Sequence, residues 1–249
     1  MTSDALRIPA DDPLAQAARA ALTSGDVGAV SALIAEHPEL ATARVVTEGE
    51  GAGERTLLHV FADYPGRRPR AREIVAVLKD AGADLDAPFV GSHSETALHW
   101  AASNDDIQLI DALLDHGADI EARGAIIGGG TAMADATAFG RWMAADRLAL
   151  RGAQTTLFES ACLGLVDRVH AELAAAPDPD DVSAALWGAA AGGRRVTASI
   201  LLEHGADPNW VGSDRLTAVD AAQREGATRL AEWLRKRGGR SAAELAQAD

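Results

Sequence analysis

Two acidic residues, Asp135 and Glu159, occur in stretches of mostly small and apolar side chains, and each follows a threonine by four positions. Carboxyl groups held close together in a partly apolar wall have pKa values that are pushed apart, so that one serves as acid and the other as base. This chemistry suits hydrolysis, although such a pair can also bind an amine or a divalent cation. In the alternative interpretation, both residues only cap helices or bond loop amides. The spacing of possible ligands does not predict a metal site, and no cofactor is expected.

The composition limits the kinds of partner. The chain has 249 residues and a formal net charge of −14, which disfavours binding to the phosphate backbone of a nucleic acid. An apolar fraction of 47% with a single cysteine, Cys162, predicts a soluble globular chain in a reducing, cytoplasmic environment. No membrane association is expected, because no run of about 18 apolar residues is present. The start at Met1 also lacks the features of a secretory signal.

Segments of similar sequence recur along the chain. One segment opens at Thr96 and closes at Gly117, and a second opens at Thr131 and closes at Gly152, each 35 residues later. Thr56 opens an upstream copy. Two further copies near the C-terminus start 33 residues apart, at positions 184 and 217. A regular period of this kind predicts a stack of small units that bury their apolar faces only against their neighbours.

The opening Thr96-Ala97-Leu98-His99-Trp100-Ala101-Ala102 resembles the ankyrin repeat, whose period is about 33 residues. The resemblance implies an all-α fold, an ankyrin-repeat solenoid of about seven stacked helix–turn–helix units with short or irregular hairpin loops. Only 2 lysines occur among the 23 basic residues, which suggests a GC-rich, bacterial genome. We expect one domain over residues 13–239 between tails at 1–12 and 240–249. Its copies lie near residues 14–40, 56–87, 96–122, 131–154, 155–176, 182–209 and 217–238.

The helix turn of the Thr56 copy is enlarged by five residues relative to the Thr96 copy. The extra length lies within residues 63–72, which contain the only tyrosine, Tyr64, and four arginines. The segment is interpreted either as a solvated loop or as a rim that holds an anionic group, since arginine suits bidentate contact with carboxylate or phosphate. Eight-residue loops before Thr96 and Thr131 are also longer than the repeat requires.

The position after the repeat's histidine faces the concave side in ankyrin repeats and is usually apolar or variable. Successive copies place Val60, Trp100, Asp135 and Glu159 there. Because packed helices lie about 8–10 Å apart, the two carboxylates are expected to approach each other beside Trp100. The candidate residues for binding a ligand or partner around them are Asp63, Tyr64, His93, Trp100, Asn104, Asp106 and Phe139.

The resemblance implies a monomeric binding protein that recognises a partner protein through its concave groove and loops. The alternative is an enzyme or small-molecule binder, with a hydrolytic acid–base pocket centred on Asp135 and Glu159. A third hypothesis is a protective partner for a toxin encoded nearby. His59 and His99 are expected to be structural, bonding the opening threonine to neighbouring loops.

Overall fold

Short helices in consecutive pairs make up most of the chain over residues 5–49 and 52–247, which this computed structural model describes. The chain divides into two compact units, Met1–Ala153 and Gln154–Asp249. The sequence predicts a single domain instead. The division falls at the short connection 151–156, where the sequence has no hairpin between consecutive copies.

The first unit contains four helix pairs in its described part. The helices are α1 (Pro13–Ser24), α2 (Val27–Glu36), α3 (Leu57–Ala62), α4 (Ala71–Asp80), α5 (Ala97–Ser103), α6 (Ile107–Asp115), α7 (Ala132–Ala138) and α8 (Trp142–Leu150), with a 3₁₀ turn at Pro38–Ala41. The first helices of successive pairs pack on one another, and so do the second helices. This packing is the predicted solenoid of stacked helix–turn–helix units.

A small sheet at the start of the first unit departs from the all-α prediction. It consists of β1 (Arg7–Pro9), β2 (Arg44–Thr47) and β3 (Gly53–Arg55) in the order β1-β2-β3. β1 is parallel to β2, and β2 is antiparallel to β3. Strands of three or four residues are too short to show an alternating apolar pattern, which is why the sequence does not predict them. β1 lies in the segment 1–12 that the sequence predicts as a tail.

The second unit contains three helix pairs in its described part, followed by one short helix. The pairs comprise α9 (Leu157–Leu163), α10 (Val166–Ala174), α11 (Pro179–Ala191), α12 (Arg195–Glu203), α13 (Ala218–Arg224) and α14 (Thr228–Arg235). The last helix, α15 (Ala242–Ala246), lies in the predicted tail 240–249. A capping box between Ser241 and Glu244 and an ion pair from Arg235 to Glu244 stabilise its start.

Threonine caps and glycine turns set the bounds of the helix pairs. Thr56 and Thr217 each accept a hydrogen bond from the backbone of the third helical residue, which satisfies a donor that the helix leaves free. Gly164 ends α9 with φ of 74°, a left-handed conformation that glycine adopts without steric cost. Between α3 and α4 the connection spans residues 63–70, which confirms the predicted enlargement of this turn.

Alanine fills the contacts between stacked helices. Ala101 and Ala102 on α5 and Ala136 on α7 are 0% exposed. Their small side chains let neighbouring helices approach closely, so the high alanine content follows from the stacking.

Candidate functional site

A cleft of about 270 Å³ in the first unit brings together most of the predicted binding residues. It lies between the enlarged α3–α4 connection, the exposed parts of α5, and the ends of two loops. Its lining consists of Asp63, Tyr64, His93, Glu95, Trp100, Ser103, Asn104, Ile126 and Phe139. Six of these residues belong to the predicted partner-binding set, and Asp106 is the member of that set that does not line the cleft.

The carboxylate of Glu95 lies at the base of this cleft and is 6% exposed. Its Oε2 accepts a 2.9 Å hydrogen bond from the indole nitrogen of Trp100, and its Oε1 accepts a 3.2 Å bond from the backbone nitrogen of Ile126. His93 Nδ1 lies 3.1 Å from Oε2, at an ion-pair distance. Glu95 therefore connects the loop before α5, the helix α5 itself, and the glycine-rich loop before α7.

Asp135, on α7, is the carboxyl group next to Glu95. Its side chain is 0% exposed, and no N–H group of the described residues donates to either oxygen. Removal from water, the negative charge of Glu95 and a side-chain hydrogen bond with Glu95 raise the pKa of Asp135 to about 8. Asp135 therefore holds a proton at neutral pH. The sequence assigns the neighbouring carboxylate to Glu159, whereas in the structure Glu95 is the neighbour of Asp135.

The rings of His93, Phe89 and Trp100 pack together next to Glu95. His93 stacks on Phe89 with ring centroids 4.4 Å apart, and Phe89 lies 5.8 Å from Trp100. The guanidinium of Arg55 lies over the Trp100 ring at 5.3 Å, a cation–π arrangement. These contacts hold Trp100 as one wall of the cleft.

The enlarged connection between α3 and α4 forms the opposite rim. Asp63 binds Arg55 Nη1 at 3.0 Å, while Tyr64 projects outward with 82% of its surface exposed. Asn104 anchors this rim by donating a 2.8 Å hydrogen bond to the carbonyl of Ala62.

Asp106 has a structural role instead of lining the cleft. It caps α6 by accepting a 3.1 Å bond from Leu109, and its other oxygen accepts a bond from the backbone nitrogen of Arg67.

The predicted structural role of the repeat histidines agrees with the geometry. His59 Nδ1 accepts a 3.3 Å bond from the backbone of Thr56, and Nε2 donates to the carbonyl of Glu95 at 3.0 Å. Burial lowers the pKa of His59 to about 4, so the ring is neutral and this tautomer is maintained. His99 makes the same pair of contacts, with Thr96 and with Gly130.

Glu159 belongs to the second unit, where it serves its own helix. Thr156 caps α9, and its backbone nitrogen and hydroxyl donate to Glu159 at 2.7 and 3.0 Å. Glu159 thus holds the position of the repeat's histidine, one place earlier in its repeat than Asp135. The prediction that Asp135 and Glu159 are equivalent is wrong, because Thr156 and not Thr155 is the cap. The thiol of Cys162 on the same helix is fully buried, which raises its pKa.

Glu95, Ser103 and Ile126 line the cleft but are not among the predicted residues, and Glu95 is the charged one of the three. It lies in a loop and has no fixed place in the motif. A signal for it is its position directly before the capping Thr96, since a side chain there can reach back to the first turn of α5, where Trp100 lies. The position of Glu95 in the sequence predicts its hydrogen bond only once Trp100 is known to be the donor.

The described residues contain no group of three or more His, Cys, Asp or Glu side chains that could hold a metal ion. Within residues 5–49 and 52–247, no helix is long and apolar enough to cross a membrane.

Comparison with known proteins finds a family match over part of the chain and a similar fold. Residues 14–124 match the family model for ankyrin repeats, in three copies. Among solved structures, the human ASB11 ankyrin repeat domain is similar to this chain, with 19% identity and a TM-score of 0.51. The match covers 88% of this chain and 97% of that one, and at this identity it concerns the fold. No curated protein matches the sequence.

Proposed function

Because this chain has an ankyrin-repeat fold, we propose that it is a binding protein that recognises a partner protein through the cleft of its first unit. Ankyrin repeats generally mediate interactions between proteins, and the −14 charge favours a basic partner over a nucleic acid. We further propose that the protein acts as a monomer in the cytoplasm.

The observation that carries the proposal is the pair of exposed aromatic rings at the rim of the cleft. Tyr64 is 82% exposed and Phe139 is 43% exposed. Burial of an aromatic ring would lower the free energy of the folded protein, so exposed rings suggest another role. Aromatic side chains around a recess are typical of the residues that contribute most to binding energy in protein interfaces.

Three successive helix pairs contribute to this surface. Tyr64 comes from the α3–α4 connection, Trp100 and Asn104 come from α5 and its end, and Phe139 follows α7. A segment of a partner that lies across the cleft can therefore contact several repeats at once, which is how a stack of small units builds an extended binding surface.

Selection from a random peptide library displayed on phage, with the full chain as bait, tests the proposal. Peptides selected by the unaltered protein should bind a Tyr64→Ala/Phe139→Ala variant about 10-fold more weakly or worse. The matched control is Met143→Ala/Leu150→Ala, which removes side chains that are 58% and 80% exposed in the same unit but do not line the cleft. Failure to select any peptide, or equal affinity for all three proteins, would contradict the proposal.

The second candidate function is the binding or hydrolysis of a small molecule by an acid–base site at Asp135. It is favoured by the burial of this residue and by its raised pKa beside a second carboxylate. The neighbouring Glu95, and not the helix-capping Glu159, is the second carboxylate in this version. A panel of ester, amide and glycoside substrates tests it, with turnover expected to disappear in Asp135→Asn; absence of turnover in the unaltered protein eliminates it.

A further inference from the structure

Asp135 and Glu95 form a buried pair of carboxyl groups beneath the cleft of the first unit. Asp135 is 0% exposed and Glu95 is 6% exposed, and a side-chain hydrogen bond joins them. Two ionised carboxylates cannot make such a bond, because both are only acceptors, so the pair holds one proton. Asp135 carries it, since N–H groups of the described residues donate to both oxygens of Glu95 and to neither oxygen of Asp135.

Glu95 uses its other bonds to hold two parts of the cleft. The indole nitrogen of Trp100 donates to Oε2 at 2.9 Å, and the backbone nitrogen of Ile126 donates to Oε1 at 3.2 Å. Trp100 forms one wall of the cleft, and Ile126 brings the glycine-rich loop 123–130 to its edge. The position of one carboxylate therefore sets both the wall and the loop.

Loss of the proton would place two negative charges against each other away from water, which is unfavourable. Asp135 lies on the helix α7 and is fully buried. Glu95 lies in a loop and lines the cleft, so it reaches water by turning outwards. Movement of Glu95 is therefore the way to relieve the repulsion, and it breaks the bonds to Trp100 and Ile126.

Three histidines lie near the pair and do not replace the missing proton. Burial lowers the pKa of His59 to about 4 and lowers that of His99 as well, so neither ring is positively charged at neutral or higher pH. His93 Nδ1 lies 3.1 Å from Oε2 of Glu95. It belongs to the same loop as Glu95, so this contact does not tie Glu95 to another element.

The arginines on the neighbouring elements are engaged elsewhere. Arg55, over the Trp100 ring, binds Asp63 at 3.0 Å. At the start of α8, Arg141 donates to the last carbonyl of α5 at 2.8 Å, and further along this helix Arg147 binds the carboxylate of Asp111 at 3.0 Å. The pair thus has no arginine that would stabilise two negative charges.

We propose that this carboxyl pair is a pH-sensitive switch for the cleft, in which the shared proton lets Glu95 hold Trp100 and the loop 123–130, and its loss at alkaline pH releases both. The inference concerns the regulation of the proposed binding site and rests on the proposed function only for its effect on a partner. Because the pKa of Asp135 is about 8, the change should take place between about pH 7 and about pH 9.

NMR of the full chain between about pH 6.5 and about pH 9.5 tests the switch without a partner. Fluorotryptophan reports on Trp100, and labelled isoleucine methyl groups report on Ile126. We expect the two signals to shift together with a midpoint near pH 8. Asp135→Asn should abolish this transition, because asparagine has no proton to lose, whereas Asp80→Asn, the same change at an exposed site of the same unit, should keep it. Signals that do not titrate, or that titrate equally in Asp135→Asn, overturn the inference.

Glu95→Gln is a second variant, which keeps the switch testable if Asp135→Asn does not fold. It removes the like charge beside Asp135, so any transition should move to a pH below that of the unaltered protein. A transition that stays at the same pH would show that the two carboxyl groups are not coupled and would contradict the inference.

The peptides selected from the random library give the effect on binding. If only the protonated form binds, affinity should be about 10-fold weaker at about pH 9 than at about pH 7, and it should change little in Asp135→Asn. The same loss of affinity in both proteins would contradict the inference and leave the proposed function intact. If no peptide is selected, the proposed function fails, and the NMR titration still decides whether the switch exists.

Discussion

Trp100 donates a 2.9 Å hydrogen bond from its indole nitrogen to Oε2 of Glu95, five residues earlier in the chain. The bond joins α5 to the loop that precedes it, and it fixes both the ring that forms one wall of the cleft and the carboxylate at its base. His59, in the preceding helix pair, donates to the backbone carbonyl of Glu95. The position of this carboxylate therefore depends on contacts with two repeats.

Trp100→Phe should destabilise the protein by about 2 kcal/mol, because it keeps most of the ring but removes a hydrogen bond to a buried charged group. The free energy of unfolding in urea measures this loss. The control is Trp142→Phe in the same unit, since the Trp142 indole makes no side-chain hydrogen bond among the described residues. Equal losses in the two variants would show that ring size matters and that the bond to Glu95 does not.

Asp135→Asn should become more stable relative to the unaltered protein as pH rises. The pKa of Asp135 is about 8 in the folded state, against about 4 in an unfolded chain. Between these values the folded protein holds a proton that the unfolded chain has released, so its stability falls as pH increases. Asparagine has no proton to lose and removes this dependence.

Unfolding of both proteins in urea at about pH 5 and about pH 8 checks the sign. Other titrating groups, including His59, are common to the two proteins and cancel in the difference between their unfolding free energies. A difference that stays constant, or that shifts in favour of the unaltered protein at the higher pH, would mean that Asp135 ionises normally in the fold.

The sequence predicts the stack of helix pairs well because its signals are local. Three signals act within one repeat: the threonine that begins the first helix, the glycine that ends the second helix and the apolar stripe. The capping box of Thr56 and His59 is an example. Trp100, Asn104 and Phe139 can be placed near one another from the sequence, since they occupy fixed places in the motif, whereas Asp63, Tyr64 and His93 lie in irregular loops. Glu95 is not predicted, because its role depends on the path of an irregular loop.

The predicted equivalence of Glu159 with Asp135 fails for a similarly local reason, whereas the alternative that Glu159 caps a helix agrees with its hydrogen bonds. Two adjacent threonines, Thr155 and Thr156, could each begin the helix, and the choice shifts every later residue by one position. The structure uses Thr156, whose side chain and backbone both reach Glu159. The short strands β1–β3 and the helix α15 likewise lie outside the repeat, where periodicity gives no information.

Asp106→Ala should loosen the rim that carries Tyr64 as well as destabilise α6. Loss of a helix cap alone costs about 1 kcal/mol, which is the expectation for the control Asp26→Ala, where an exposed aspartate caps α2 through a 2.9 Å bond from Ala29. Asp106 also binds the backbone of Arg67, so its loss should cost more. Trypsin should then cleave after Arg67 faster in Asp106→Ala than in Asp26→Ala; equal cleavage rates would show that the rim does not depend on this contact.

Glu159→Ala should destabilise the second unit by about 1 kcal/mol, while Glu159→Gln should be nearly neutral. Alanine removes the acceptor for the backbone and hydroxyl of Thr156, whereas the amide oxygen of glutamine can still accept those bonds. Neither variant should alter the affinity for peptides that bind the cleft of the first unit, since Glu159 does not line it. Thermal unfolding and peptide affinity, measured on the same preparations, separate the two roles. A loss of peptide binding in Glu159→Gln at unchanged stability would restore Glu159 to the binding site and refute its assignment as a cap.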